Sequence, residues 1–258
     1  MGHNRLGGGL PRTKRWIEVI NLVGQGGSPE QVADATLDAT EGQFFAAADD
    51  PVVVRTVWLL TQLPDAARVG DFAANLRALG MDVADSPSST ELASALGRAV
   101  DTFATSLGQP RSDLAEMARL SAMETVAAAA FERSPGLFGL NPDAARTAVA
   151  QIYTEQKFGV FARDFFARLT ERTLVHYVSR ELPLHVGSGE RFETATEQRA
   201  FQDAVATHAR QASKIVETFA GGWYSKARFQ RDLTPERTAR FIGYSMKKLR
   251  AELRLGAK

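Results

Sequence analysis

The amino-acid sequence predicts an all-α protein, a globular bundle of about nine or ten helices, on three observations. Helix-start signals recur along the chain, with Ser, Thr, Asp or Asn placed just ahead of a proline or an acidic residue. The stretches between them are rich in Ala, Leu, Arg, Glu and Gln, all strong helix formers. No window alternates apolar and polar residues with the period of two that a half-buried strand needs.

In chain order, the first helix is expected over 13–24, anchored by Trp16 and Ile17. Ser28-Pro29-Glu30-Gln31 combines a capping box with a proline at the first helical position and opens a helix over 29–48. Asp50-Pro51 opens 51–62, and Leu63-Pro64-Asp65 restarts the chain as 65–79. The window PVVVRTVWLL at 51–60 has enough β-branched residues to suit a strand, but Val53, Val57 and Leu60, with Val54 and Trp58, recur at helical spacing. A second capping box, Ser88 to Glu91, opens 89–107, and 112–132 follows. Asn141-Pro142-Asp143 caps 142–155, ahead of a long helix over 158–182. Thr194 to Glu197 starts 195–219, and Thr234-Pro235-Glu236 starts 235–255. Gly221 and Gly222 suit a left-handed C-cap, so FAGGWYSKARF, Phe219 to Phe229, reads chiefly as a helix stop and a corner.

Residues 1–12 are Gly-rich and are expected to form a flexible N-terminal segment, followed by a single helical domain over 13–258. Within that domain SPGLFGLN, near 134–141, could divide two helical lobes. The loop PLHVGSGERFE, 183–193, either packs over the body or hangs free. The chain of 258 residues is 44% hydrophobic and 24% charged, enough for a core without a staple. It has no cysteine, which removes disulfides, thiolate nucleophiles and Cys-type zinc sites together. No stretch approaches the ~20 apolar residues of a membrane span, and the N-terminus lacks a signal-peptide core. A cytoplasmic location is therefore expected.

The four histidines, His3, His176, His185 and His208, do not fall in Glu-x-x-His or H-E-x-x-H spacing, and no metal site is expected. The glycine-rich stretches match neither a P-loop nor a dinucleotide fingerprint, so no cofactor is expected either. Ser245 to Lys248 spells S-x-x-K without the companion motifs that would give it meaning.

Charge is segregated. The overall net charge is +1, with +4 in residues 1–16, +7 in 223–258 and −10 in the body between them. Such ends either dock on an acidic partner or fold back onto the body.

Three places stand out as candidate sites. On the 158–182 helix, Phe158, Phe161, Phe165 and Leu169 share a stripe that continues as Arg172, His176 and Arg180, a candidate anion pocket. In the corner after the glycines, Trp223 and Tyr224 neighbour Lys226 and Arg228, suited to stacking on a partner group with cations alongside. The competing reading makes Trp223 a plug between two helices. On the last helix, Ile242, Met246, Leu249 and Leu253 form an apolar seam. Opposite it Arg237, Arg240, Tyr244, Lys247, Lys248, Arg250 and Arg254 form a broad basic face.

The function these features favour is a non-enzymatic helical accessory subunit that contacts an acidic protein partner through its basic C-terminal helix. A nucleic-acid partner on the same face is the second reading, disfavoured by a pI of only 8.0. A helical enzyme acting on an anionic small molecule at Arg172, His176 and Arg180 is the third. That reading requires the three side chains to converge on one cleft.

Overall fold

The computed structural model describes residues 13–108, 110–131 and 143–256. Among them the fold is all-α, and the one β-type pairing is a bridge between Val186 and Phe192. The helices are α1 (Lys14–Gly24), α2 (Pro29–Ala39), α3 (Glu41–Phe45), α4 (Pro51–Arg68), α5 (Phe72–Ala78) and α6 (Ser89–Ser106). They continue with α7 (Asp113–Phe131), α8 (Ala144–Gln151), α9 (Glu155–Glu181), α10 (Ala195–Ala212), α11 (Lys214–Phe229) and α12 (Pro235–Gly256). Short 3-10 turns lie at Ala46–Ala48 and Leu182–His185. The expected flexible segment 1–12 and the lobe boundary near 134–141 lie outside the described residues.

The bundle is organised around α9, which packs against α7, α10 and α11. Its buried residues include Phe158, Phe161, Phe165, Phe166 and Leu169, and they join an apolar core that runs from Trp16 in α1 to Leu253 in α12. Four of the start signals act as expected. Ser28 and Gln31 form the reciprocal capping box, and Asp50 accepts from the Val52 and Val53 amides. Ser88 and Thr194 accept from the amides of Glu91 and Glu197, while each of those glutamates reaches back to another backbone N–H, of Ala84 and Glu193.

Several boundaries differ from the sequence reading. The expected 29–48 helix is broken into α2, α3 and a 3-10 turn, with the breaks at Thr40 and Phe45. The expected restart at Pro64 does not occur, because α4 continues through the proline. Leu60 and Leu63 before it and Ala66 and Ala67 after it are all buried, so an unbroken apolar face outweighs the ~3 kcal/mol cost of an interior proline. Trp16 is buried, stacks edge-on against Tyr177 and donates to Glu181, whereas Ile17 is exposed and anchors nothing.

The 183–193 loop packs on the body. Arg191 donates to the carbonyls of Leu22, Val23 and Gly27, satisfying the C-terminal end of α1, and its guanidinium stacks 4.2 Å over the ring of Phe201.

The largest revision concerns Gly221 and Gly222. The α10 helix ends at Ala212, and α11 runs straight through both glycines to Phe229. Neither glycine is a cap. A Cβ at Gly221 would lie 2.8 Å from the carbonyl carbon of Glu155 and closer still to its oxygen. One at Gly159 would lie 3.0 Å from the Glu217 carbonyl oxygen. The two glycines let the backbones of α9 and α11 approach closely, which is why the chain omits a side chain at each.

Candidate functional site

The α9–α11 contact orients the segment that follows Gly221. Tyr224 is fully buried and stacks face to face on Phe158, with ring centroids 3.9 Å apart. Burial, reinforced by Asp65, pushes its phenol well above the ordinary range, and the Arg228 guanidinium beside it opposes the effect. Arg228 donates to the Tyr153 carbonyl at 2.9 Å and lies 3.3 Å from the centroid of that tyrosine's ring. Tyr224 is thus an interior residue and does not belong to a contact surface, whereas Arg228 is half-buried and engaged with Tyr153. Trp223 is the plug between two helices, stacked on Phe241 of α12 at 4.0 Å. Trp223 as a whole is half-buried. Lys226 is exposed.

The expected apolar seam of α12 is present, with Ile242, Met246, Leu249 and Leu253 buried. The basic face opposite it is not continuous. Arg250 is only 5% exposed, and its two terminal nitrogens pair with Asp34 and Asp38, one turn apart on α2. Arg254 pairs with the same Asp38 at 2.9 Å. Arg237 pairs with Asp232 and donates to Gln230. At the other end of the chain, Arg15 pairs with Glu41 and donates to the Asp38 carbonyl. Part of the charge segregation is therefore consumed internally, with Arg15, Arg250 and Arg254 folded back onto acids of α2 and α3. Arg250 and Arg254 serve as a latch for α12.

Arg240, Tyr244, Lys247 and Lys248 remain exposed on α12, and none of the three cations makes an ion pair among the described residues. Spacing of four residues places Arg240, Tyr244 and Lys248 on one stripe, with Lys247 beside it. The stripe borders a groove of about 400 Å³ between α11 and α12, walled by Phe219, Trp223, Phe241 and Tyr244. Arg237 and Arg240 sit at its edge. Tyr244 is 48% exposed and meets Phe219 edge-on at 4.8 Å. The Lys248 ammonium lies 5.6 Å from the Tyr244 ring centroid. Phe219 and Phe241 had no place in the sequence reading, although Phe241 precedes Tyr244 by one helical turn. Their role depends on α11 lying alongside α12, which no local pattern encodes.

The arginine–histidine stripe of α9 is arranged differently from an open anion pocket. Arg172 pairs with Glu124 of α7, which also lies 3.5 Å from Arg168. The Nε2 of His176 lies 3.5 Å from an Asp113 carboxylate oxygen and 3.1 Å from an Arg180 nitrogen. Burial holds the imidazole below its ordinary range, Arg180 adds to the effect and Asp113 opposes it. His176 and Arg180 are brought together, and Arg172 turns to a carboxylate of its own. Among the described residues no group of His, Asp and Glu gathers as a metal site would require. None of the helices there is long and apolar enough to cross a membrane.

Comparison with protein-family models, with curated proteins and with solved structures finds no match to this chain.

Proposed function

We propose that the protein is a non-enzymatic binding subunit that holds an acidic protein partner in the α11–α12 groove. The observation that supports this reading is an aromatic groove bordered by Arg240, Lys247 and Lys248, which make no ion pair among the described residues. Aromatic walls receive an apolar or aromatic side chain, and the bordering cations select acidic residues on either side of it. Once the latch arginines are subtracted, the cations left on α12 are too few to track a nucleic-acid backbone. The aromatic walls also suit a protein side chain.

The test uses the full chain against immobilised peptides rich in Asp and Glu, with and without a central Phe or Trp. Binding is expected to need both the acids and the aromatic residue. The double reversal Arg240→Glu/Lys247→Glu should slow association more than it speeds release, and Tyr244→Ala should speed release. Binding of oligonucleotides instead, with affinity falling by about 0.9 log units per tenfold salt for each phosphate contacted, would replace the partner class. Peptide binding unchanged by the double reversal would show that the stripe is only a solvated face.

A further inference from the structure

A second concavity lies elsewhere on the bundle. It is a cavity of about 250 Å³ between the 40–50 segment, the start of α7 and the C-terminal part of α9. Phe44, Leu114 and Met117 are its apolar walls. At ~30 Å³ per water it has room for about eight waters, so an occupant has on the order of ten non-hydrogen atoms.

The polar groups of the lining are unevenly matched. Two carboxylates, Asp50 and Asp113, reach the cavity, and among the described residues no lysine, arginine or histidine lines it. Asp50 is already satisfied: one oxygen accepts from the Val52 and Val53 amides, and the other accepts from the Ser112 hydroxyl at 2.6 Å. Asp113 is not. Among the described residues its one partner is His176 at 3.5 Å, longer than a good hydrogen bond, while an ionised carboxylate accepts about four, and the side chain is 30% exposed at the cavity. Asp113 is the first residue of α7, where the helix dipole favours its charge. Burial keeps the neighbouring imidazole neutral over more of the pH range, so that charge is not cancelled by His176. Arg180 stands behind the imidazole and outside the lining. The Tyr177 hydroxyl, also in the lining, donates to the Gln43 amide oxygen, which leaves its own oxygen free to accept. A partly open, mainly apolar cavity with an under-used carboxylate, a phenolic acceptor and no cation in its described lining is complementary to one kind of ligand.

We propose that this cavity binds a small primary or secondary amine with an apolar body, its ammonium on Asp113 and its body against Phe44 and Met117. Tyr177 supplies a second acceptor. Ser112 and Asp50 hold the start of α7 against the 40–50 segment and so fix the position of Asp113.

The test titrates the full chain with three bodies, phenylethyl, cyclohexylmethyl and n-hexyl, each as its amine, alcohol and carboxylate. Calorimetry gives the affinity, and the Met117 methyl signal reports the place. At least one amine is expected to bind about tenfold more tightly than its alcohol, the size of a charged hydrogen bond, with the carboxylates weakest. Asp113→Asn should remove the difference between amine and alcohol. Ala46→Phe, at an exposed position of the mouth, should weaken all binding without unfolding the chain. The charge reversal in the α11–α12 groove should leave the amine titration unchanged, which separates this site from the partner surface. Alcohols that match their amines for every body, an amine preference that survives Asp113→Asn, or no binding by any probe would overturn the proposal.

Discussion

Gly221 and Gly222 are adjacent in one exposed-to-buried helix, yet replacing each with alanine should have opposite effects. Alanine inside a helix gains about 1 kcal/mol over glycine from propensity alone, and that gain is common to both sites. At Gly222 the new Cβ would meet a Glu155 carboxylate oxygen at 3.4 Å, the end of a flexible side chain that can swing away. At Gly221 it would meet the Glu155 carbonyl carbon at 2.8 Å, and that group is backbone at the first turn of α9. Either α9 or α11 must withdraw by on the order of 1 Å, and overpacking of this kind costs about 1–3 kcal/mol. A clash this short with backbone puts the cost in the upper half of that range, about 2–3 kcal/mol, so subtracting the propensity gain leaves Gly221→Ala destabilised by about 1–2 kcal/mol. Gly222→Ala should be stabilised by up to about 1 kcal/mol. Urea denaturation followed by circular dichroism reads both, with midpoints expected to move in opposite directions by a few tenths of a molar, about ΔΔG divided by a slope of 2–3 kcal/mol/M. A Gly221→Ala midpoint equal to or above the parent's would refute the close approach of α9 and α11. So would a larger loss at Gly222.

Two further outcomes follow from buried charge. Asp34→Asn/Asp38→Asn strands a guanidinium that is 5% exposed and should cost about 3 kcal/mol or more, whereas Arg250→Met leaves two acids that can reach water and should cost clearly less; chemical denaturation of both variants gives the order. For His176 the folded state holds the imidazolium below its ordinary 6.5, so the unfolded chain binds more protons in the window just below that value. Stability should therefore rise with pH up to about 6.5 and fall on acidification through the window beneath it. Urea midpoints across that range should show a slope that His176→Gln reduces.

The sequence by itself determined the all-α class, most helix starts and the apolar seam of α12, because each is a short-range property. A cap involves residues three apart, as in Ser28 and Gln31, and a helical face repeats every three or four residues, as in Ile242, Met246, Leu249 and Leu253. Where local signals failed, distant residues had decided the outcome. Pro64 reads as a break, but the core that buries Leu63 and Ala67 carries α4 through it. Gly221 reads as a stop, but it is a gap left for Glu155, more than sixty positions earlier in the chain. The basic helix reads as one open face, yet Asp34 and Asp38 claim Arg250 and Arg254 from more than two hundred positions away, which leaves Arg240, Lys247 and Lys248. The cavity beside Asp113 had no sequence signature at all, since its walls come from three separate segments. Which glycine packs, which arginine is latched and which carboxylate stays open all depend on what the fold places opposite each residue, and only the tertiary structure contains that.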